Sequence, residues 1–152
     1  MPFFYRLYLW LGRLRRRVRA PVTLGTRALV VRDGMVLLVK LTYSRGWYLP
    51  GGGVDRGESI YAGMVRELRE ECGIDTLEAR LFGLHLNRRD GRLDHVATYV
   101  VQRYSGEPRA ADPREIAEAK FFLPTDLPAD LWPGHRRRID EFFSGAPPSV
   151  DW

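Results

Sequence analysis

Residues 51–74 constrain this chain more than any other part of its sequence. They begin with three consecutive glycines and continue, after Ser59, as a helix-like segment that carries Arg-Glu-Leu-Arg-Glu-Glu at residues 66–71. Like charges three or four positions apart on a helix repel each other. A bound divalent cation would offset this repulsion, because hard cations such as Mg²⁺ take oxygen ligands.

The predicted helix has two neighbouring faces of different character. At about 100° per residue, Glu67, Glu70 and Glu71 fall within an arc of about 100°. The adjacent face is apolar and is expected to turn to the core. Its members are Met64, Val65, Leu68 and Cys72. Ser59 is the expected N-cap, and Gly73 is expected to end the helix.

Gly63 falls on the carboxylate side of this helix. A glycine there costs helix stability, but it allows another part of the backbone to approach closely. We expect the loop 51–53 to be that neighbour. The alternative for the whole charged face is a solvated surface with salt bridges, since Arg66 and Glu70 form an i,i+4 pair and charge runs are usually exposed.

The segment 52–74 resembles the signature of the Nudix hydrolase family. That signature is a glycine, five residues, a glutamate, seven residues, and then Arg-Glu-aliphatic-any-Glu-Glu-any-Gly-aliphatic. Every defined position is matched, by Gly52, Glu58, Arg66, Glu67, Leu68, Glu70, Glu71, Gly73 and Ile74. The segments 47–51 and 115–122 also resemble the family, so the resemblance extends over about residues 22–143.

The resemblance implies a fold and a reaction. The fold is an α/β/α sandwich with a mixed sheet. The reaction is metal-dependent hydrolysis of a diphosphate linkage in a small nucleotide, either a nucleoside diphosphate derivative or a nucleoside triphosphate, with Mg²⁺ as cofactor and Mn²⁺ as the alternative. Carboxylate-held Mg²⁺ suits this reaction, because it can neutralise charge, align a water and stabilise the leaving phosphate.

The resemblance also implies roles for individual residues. Glu67, Glu70 and Glu71 would be the metal-site carboxylates, and the carbonyl of Gly51 would be a further ligand. One of the three glutamates, or a glutamate elsewhere in the chain, would act as the general base.

Two acids outside the motif are candidates for the general base. Glu115 is the first choice and Glu118 the second, and the alternative for each is an ordinary surface acid. Glu58 and Arg66 are expected to be structural. Glu58 could accept hydrogen bonds from loop amides, and Arg66 could hold a motif carboxylate in place.

Basic side chains near the glycine loop are candidates for binding substrate phosphates. These are Arg27 and Arg45, with Lys40 as a further candidate, and the alternative for each is a solvated charge. Three aromatic side chains could stack on a base or belong to the core. They are Tyr43, Trp47 and Tyr48.

Composition and charge favour one soluble domain that is close to neutral. The chain has 152 residues, of which 45% are hydrophobic. Its single cysteine, Cys72, excludes an internal disulfide and fits a reducing, cytoplasmic location. The net charge is +5, but residues 1–20 contain six arginines and no acid, which leaves 18 basic and 19 acidic residues. We therefore expect no binding of nucleic acid.

Residues 1–20 are predicted to form a separate helix rich in aromatic residues and arginine. The segment is too short and too charged to span a bilayer. It could pack on the domain or on a second subunit in a homodimer, which we favour. The alternative is peripheral membrane contact, with the arginines near anionic headgroups.

Hydrophobic runs outside the motif predict strands. They cover residues 22–31, 35–42, 47–49, 79–86, 96–104 and 119–123. Asp33-Gly34 predicts a hairpin turn, residues 87–92 a polar loop, and residues 135–143 a closing helix. We expect a catalytic domain over residues 21–145 and a loose tail over residues 146–152.

Three functions are compatible with these features. A Mg²⁺-dependent nucleotide hydrolase is favoured. A non-catalytic Nudix-like binding domain is the second, but it would have no need of crowded, mutually repelling acids. The third is a membrane-surface interaction protein that acts through residues 1–20, and it is compatible with the first.

Overall fold

A computed structural model describes residues 22–89 and 92–152 of the chain. The elements are β1 (Val22–Arg32), β2 (Met35–Leu41), β3 (Trp47–Tyr48), α1 (Ile60–Cys72), β4 (Asp75–Arg89), β5 (Arg92–Ser105), β6 (Ile116–Phe122), a 3₁₀ turn (Pro124–Asp126) and α2 (Pro133–Ser144). Neither of these α-helices is long and apolar enough to cross a membrane. The helix predicted for residues 1–20 lies outside the described residues.

The six strands form one mixed sheet. Five of them have the order β3-β2-β1-β5-β4, and β6 also pairs with β2. β1 and β5 run parallel, and the other pairs are antiparallel. The β1–β2 hairpin turns at Asp33 and Gly34, whose φ angles are 51° and 74°. Positive φ at both positions is the geometry that an Asp-Gly pair predicts.

The glycine loop takes the place of β2 beside most of β1. β1 and β2 pair over two residues each, next to their hairpin. In the part of β1 farther from the hairpin, the amides of Thr26 and Ala28 donate to the carbonyls of Gly52 and Pro50, each at 2.9 Å. The sheet therefore fixes the position of the loop by backbone hydrogen bonds.

Apolar clusters cover both faces of the sheet. On one face, Met64, Leu68 and Cys72 of α1 pack against strand residues that include Val30 and Val39. The cluster on the other face includes Ile139 of α2. Its further members are Leu29, Val36, Leu38, Trp47, Leu49, Val100 and Leu131. This is the predicted α/β/α sandwich, and the continuous apolar runs of β1 and β2 follow from burial on both faces.

Helix α1 begins and ends at the predicted residues. The Ser59 hydroxyl accepts a hydrogen bond from the amide of Ala62 at 3.1 Å, and Gly73 has a left-handed φ of 67°. The prediction that the loop 51–53 lies next to Gly63 is wrong. A Cβ at this position would meet the carboxylate of Glu58 at 3.0 Å, so a side chain approaches here instead of the loop backbone.

Strands β4 and β5 extend farther than predicted. The polar loop expected at residues 87–92 is mostly strand, since β4 continues to Arg89 and β5 begins at Arg92. Antiparallel pairing satisfies the backbone groups of polar and apolar residues alike. Polarity therefore did not mark the end of these strands.

Residues 146–152, expected to be loose, are held against the domain. The amide of Leu86 donates to the carbonyl of Val150 at 2.7 Å, and the amide of Trp152 donates to the carbonyl of Leu86 at 3.0 Å. β4 is the last strand of the sheet, and these bonds pair part of its outer edge. An unpaired strand edge offers such hydrogen bonds, which explains why this segment is not loose.

Candidate active site

A cavity of about 260 Å³ lies where β1 and β2 diverge. It brings together the glycine loop, two glutamates of α1 and residues from distant parts of the chain. Its lining consists of Arg27, Val39, Leu41, Tyr43, Tyr48, Leu49, Gly51, Gly52, Gly53, Glu67, Glu71 and Glu115. Most of the predicted site residues therefore meet in one place.

Glu71 is buried in this cavity, with 7% of its surface exposed. Its Oε2 accepts a hydrogen bond from the amide of Gly51 at 2.8 Å. Burial raises the pKa of the Glu71 carboxyl to about 7, although this hydrogen bond and the charge of Arg27 act in the opposite direction. A buried acid with a perturbed pKa in a cavity is a candidate functional group.

Glu67 lies directly beside Gly52. A Cβ at Gly52 would stand 2.5 Å from Oε1 of Glu67, so the carboxylate occupies space that only a glycine leaves free. Burial raises the pKa of Glu67, and the hydrogen bond from Arg66 lowers it. Gly51 has a φ of 131°, a conformation that residues with a side chain rarely adopt.

Arg66 connects the carboxylates of α1 to the glycine loop. Its Nη1 donates to Oε1 of Glu67 at 2.8 Å and to Oε2 of Glu70 at 3.1 Å. Its Nη2 donates to the carbonyl of Gly53 at 3.0 Å. The predicted pairing of Arg66 with a motif carboxylate is present, and it brings Glu67 and Glu70 close together.

Glu58 joins Asp55, two residues after the three glycines, to the same arginine. Its Oε1 accepts from Nε of Arg66 at 3.0 Å, and its Oε2 accepts from the amide of Asp55 at 3.0 Å. The hydrogen bonds from Arg66 and then from Asp55 lower the pKa of Glu58. The predicted bond to a loop amide is therefore present.

Glu70 does not line the cavity. Its side chain is 57% exposed and pairs with Arg66, so this part of the helix is the salt-bridged surface that the sequence also allowed. Within residues 22–89 and 92–152, no three His, Cys, Asp or Glu side chains form a complete metal-binding cluster. The side chains that face the cavity from α1 are Glu67 and Glu71.

The two distal acids have different surroundings. Glu115 is exposed at the cavity, and its carbonyl accepts a hydrogen bond from the amide of Thr42 at 2.8 Å. Glu118 pairs with Lys40 across β6 and β2, with Nζ and Oε1 3.5 Å apart. Of the two, Glu115 therefore lies at the cavity, whereas Glu118 and Lys40 do not line it.

Arg27 lines the cavity, whereas Arg45 does not. Burial lowers the pKa of Arg27, and the charges of Glu71 and Glu67 raise it. Arg45 is exposed, and the chain turns at Gly46, with a φ of 90°, before it reaches β3. The structure thus does not bring the Arg45 side chain to the cavity, although its proximity in sequence suggested this.

A second cavity, of about 450 Å³, adjoins the first and shares Arg27 and Tyr48 with it. Its other lining residues are Ser44, Asn87, Asp94, Val96, Trp132, Pro133, Gly134, His135 and Trp152. Sequence reasoning missed this cavity, because its residues come from separate segments without a common motif. Trp47, one of the aromatic candidates, is a core residue with 7% exposure.

Matches to known proteins cover most of this chain. The NUDIX domain profile matches residues 21–142. A Bacillus subtilis protein, provisionally named an 8-oxo-dGTP diphosphatase, is 32% identical over 125 residues, which are 82% of each chain. An RNA pyrophosphohydrolase of Aeromonas hydrophila is 31% identical over 121 residues, which are 80% of this chain and 62% of that protein.

A solved structure agrees with the fold described above. The crystal structure of a MutT NUDIX hydrolase from Burkholderia pseudomallei superposes with a TM-score of 0.72 at 32% identity, covering 79% of this chain and 97% of the other. The predicted fold class is therefore confirmed. The matched family is the one that the motif in residues 52–74 predicts.

Proposed function

Because this chain belongs to the NUDIX family and is a Nudix-type hydrolase, we propose that it cleaves a phosphoanhydride bond in a nucleoside diphosphate derivative or a nucleoside triphosphate. The observation that carries this proposal is the convergence of Glu67, Glu71, Glu115 and Arg27 on one cavity beside the glycine loop. The diphosphatase and RNA pyrophosphohydrolase names of the relatives support the reaction class.

The residues of the cavity fit a divalent cation. Glu67 and Glu71 offer oxygen ligands, and burial raises the pKa of both, so their negative charge is only partly compensated by the protein. Mg²⁺ commonly binds through one or two carboxylates and completes its shell with waters and substrate phosphates. We assign Glu67, Glu71 and the carbonyl of Gly51 as ligands of Mg²⁺ or Mn²⁺. Glu70, which shares Arg66 with Glu67, is the outermost proposed ligand.

The cation, when bound, would supply charge neutralisation and activate a water. Residues of the chain bind the substrate, position the carboxylates and accept the proton. Arg27 binds phosphate oxygens, and Arg66 and the Gly51 amide hold Glu67 and Glu71 in place. Glu115 accepts the proton from the attacking water, since it is the exposed acid at the cavity.

The proposal is tested with a panel of nucleoside diphosphate derivatives and nucleoside triphosphates. Each is incubated with the full chain and Mg²⁺, Mn²⁺ or EDTA, and the released product is measured. We expect turnover of at least one compound, which EDTA abolishes and Glu71→Gln reduces by orders of magnitude. Glu118→Gln is the matched control, because its carboxylate pairs with Lys40 outside the cavity. A wild-type protein inactive on the whole panel with either metal would contradict the proposal.

A further inference from the structure

The 146–152 segment supplies one wall of the second cavity. It returns from the end of α2 to the outer edge of β4, where it pairs with Leu86. This pairing brings Trp152 into the lining of the cavity, together with residues of β4 and β5. The position of the Trp152 ring thus depends on how firmly the segment is held.

A buried arginine of α2 holds the segment. Arg138 has no exposed surface. Its Nη2 donates to Oε1 of Glu141 at 2.8 Å and to the hydroxyl of Ser149 at 2.6 Å, and its Nη1 donates to the carbonyl of Asp151 at 3.1 Å. A buried guanidinium is costly unless its donors are satisfied. Since the segment supplies two of these acceptors, releasing it would leave a buried charge with fewer partners.

The Trp152 ring is fixed from two further sides. It contacts the ring of His135 edge-on, with centroids 5.1 Å apart, and the ring of His85 at 5.7 Å. Gly134 lies directly against the indole, and a Cβ at this position would overlap with the indole nitrogen. The absence of a side chain at Gly134 therefore leaves the space that the ring occupies.

The remaining walls offer the groups that recognise a nucleobase. The rings of Tyr48 and Trp132 stack at 5.9 Å with an angle of 26°. Asn87 and Asp94 are neighbours across β4 and β5 and line the same cavity. Aromatic rings stack on bases, whereas amides and carboxylates bond to the edges of bases. The two cavities share Arg27, so a nucleotide with its phosphates in the first cavity would extend into the second.

We infer that Trp152 is a substrate-binding residue, whose ring the 146–152 segment places against the nucleobase of the substrate in the second cavity. The inference rests on the proposed function for the class of ligand. It differs from that proposal in making a segment outside the motif responsible for binding the base, and it can be tested by binding alone.

The test measures binding without cleavage. AMP, GMP, CMP and UMP are titrated into the full chain in EDTA by calorimetry, with ribose 5-phosphate as the ligand that lacks a base. Trp152→Ala removes the ring, and Trp152→Phe keeps an aromatic surface. Val150→Ala is the matched control, because its side chain is 74% exposed and does not line the cavity. Gly134→Ala adds a methyl group that displaces the indole, while alanine has a higher helix propensity than glycine.

We expect at least one nucleoside monophosphate to bind the wild type more tightly than ribose 5-phosphate does. Trp152→Ala should weaken the binding of that nucleotide by between about 5-fold and 150-fold, which corresponds to the energy of base–aromatic stacking. Gly134→Ala should reproduce part of the loss, whereas Trp152→Phe and Val150→Ala should retain the affinity. Nucleotide binding should also change the tryptophan fluorescence of the wild type more than that of Trp152→Phe. The affinity for ribose 5-phosphate should be the same in all variants.

Three results would overturn the inference. They are wild-type nucleotide affinity in Trp152→Ala, an equal loss for ribose 5-phosphate in that variant, and no preference of the wild type for ligands with a base. Failure of the proposed function looks different. In that case the nucleotides bind with the expected dependence on Trp152, while no compound of the substrate panel is cleaved in the presence of a metal.

Discussion

Replacing Gly52 by alanine tests whether the glycine loop positions an acid of the site. The new Cβ would stand 2.5 Å from Oε1 and 2.7 Å from Cδ of Glu67. Carbon atoms make ordinary contact at about 3.5 Å, so the carboxylate has to move by about 1 Å. It can do so without unfolding the chain, because it is the end of a flexible side chain.

The expected loss in activity is large, whereas the expected loss in stability is small. Misplacing a reacting group by about 1 Å can lower the rate about 100-fold. This corresponds to about 2.7 kcal/mol of lost transition-state stabilisation. Gly52 has no left-handed φ, so alanine adds no backbone strain there. The measurements are kcat/KM with Mg²⁺ on the best substrate of the panel and the melting temperature of the metal-free protein.

Two glycines near Gly52 provide the controls. Gly25 lies on β1 across from the loop, and a Cβ there would make ordinary contacts of 3.6 Å or more, so Gly25→Ala should keep its activity. Gly51 has a φ of 131°, and a Cβ there would overlap with the backbone carbonyl of Thr26, so Gly51→Ala should lose stability as well as activity. A Gly52→Ala variant with the wild-type kcat/KM would refute the assignment of Glu67 as a carboxylate that the loop positions.

Three further predictions concern the remaining acids and the segment outside the described residues. Burial raises the pKa of Glu71 from 4.5 to about 7. The protonated form is therefore favoured in the fold, and the metal-free protein should lose about 3 kcal/mol of stability as the pH rises from 4.5 through 7. Glu71→Gln should lack this loss. If the melting temperatures of the wild type and of Glu71→Gln in EDTA changed with pH in the same way, the burial argument would be contradicted. Glu115→Gln should lower kcat about 10²- to 10⁴-fold if Glu115 is the general base. A wild-type kcat in both Glu115→Gln and the control Glu118→Gln would exclude that role. Deleting residues 1–20 should leave kcat unchanged. It should change either the number of subunits in the assembly, measured by light scattering, or the binding to anionic vesicles. If full-length and truncated chains are both monomeric and neither binds lipid, the predicted homodimer and membrane contact are both wrong.

Local features of the sequence predicted local features of the site. Ser59 and Gly73 bound helix α1 as expected, because a capping hydroxyl and a left-handed glycine act within a few residues. The pairing of Arg66 with Glu70 also follows from helix geometry alone. Each of these predictions needs only the positions of neighbours along one element.

Contacts between segments that are distant in sequence could not be predicted from these local patterns. Arg45, close to the loop in sequence, is exposed and does not line the cavity, whereas Arg27 lines it because the loop pairs with β1. The burial of Arg138 within an arginine run had no signal in the sequence, since its partners include His85 of β4 and the segment 149–151. Such positions depend on the order of strands in the sheet, which periodicity does not encode.

The pairing of the loop with β1 explains why the motif couples glycines to glutamates. In an extended chain, successive backbone groups point in opposite directions. The carbonyl of Gly52 accepts from Thr26 of β1, so the amide of the preceding residue, Gly51, points away from β1, and it meets Glu71 of α1. At the next position the missing side chain of Gly52 leaves the space that Glu67 occupies. Gly52 and Glu67 are therefore one structural unit, and a substitution of either should disturb the position of the other.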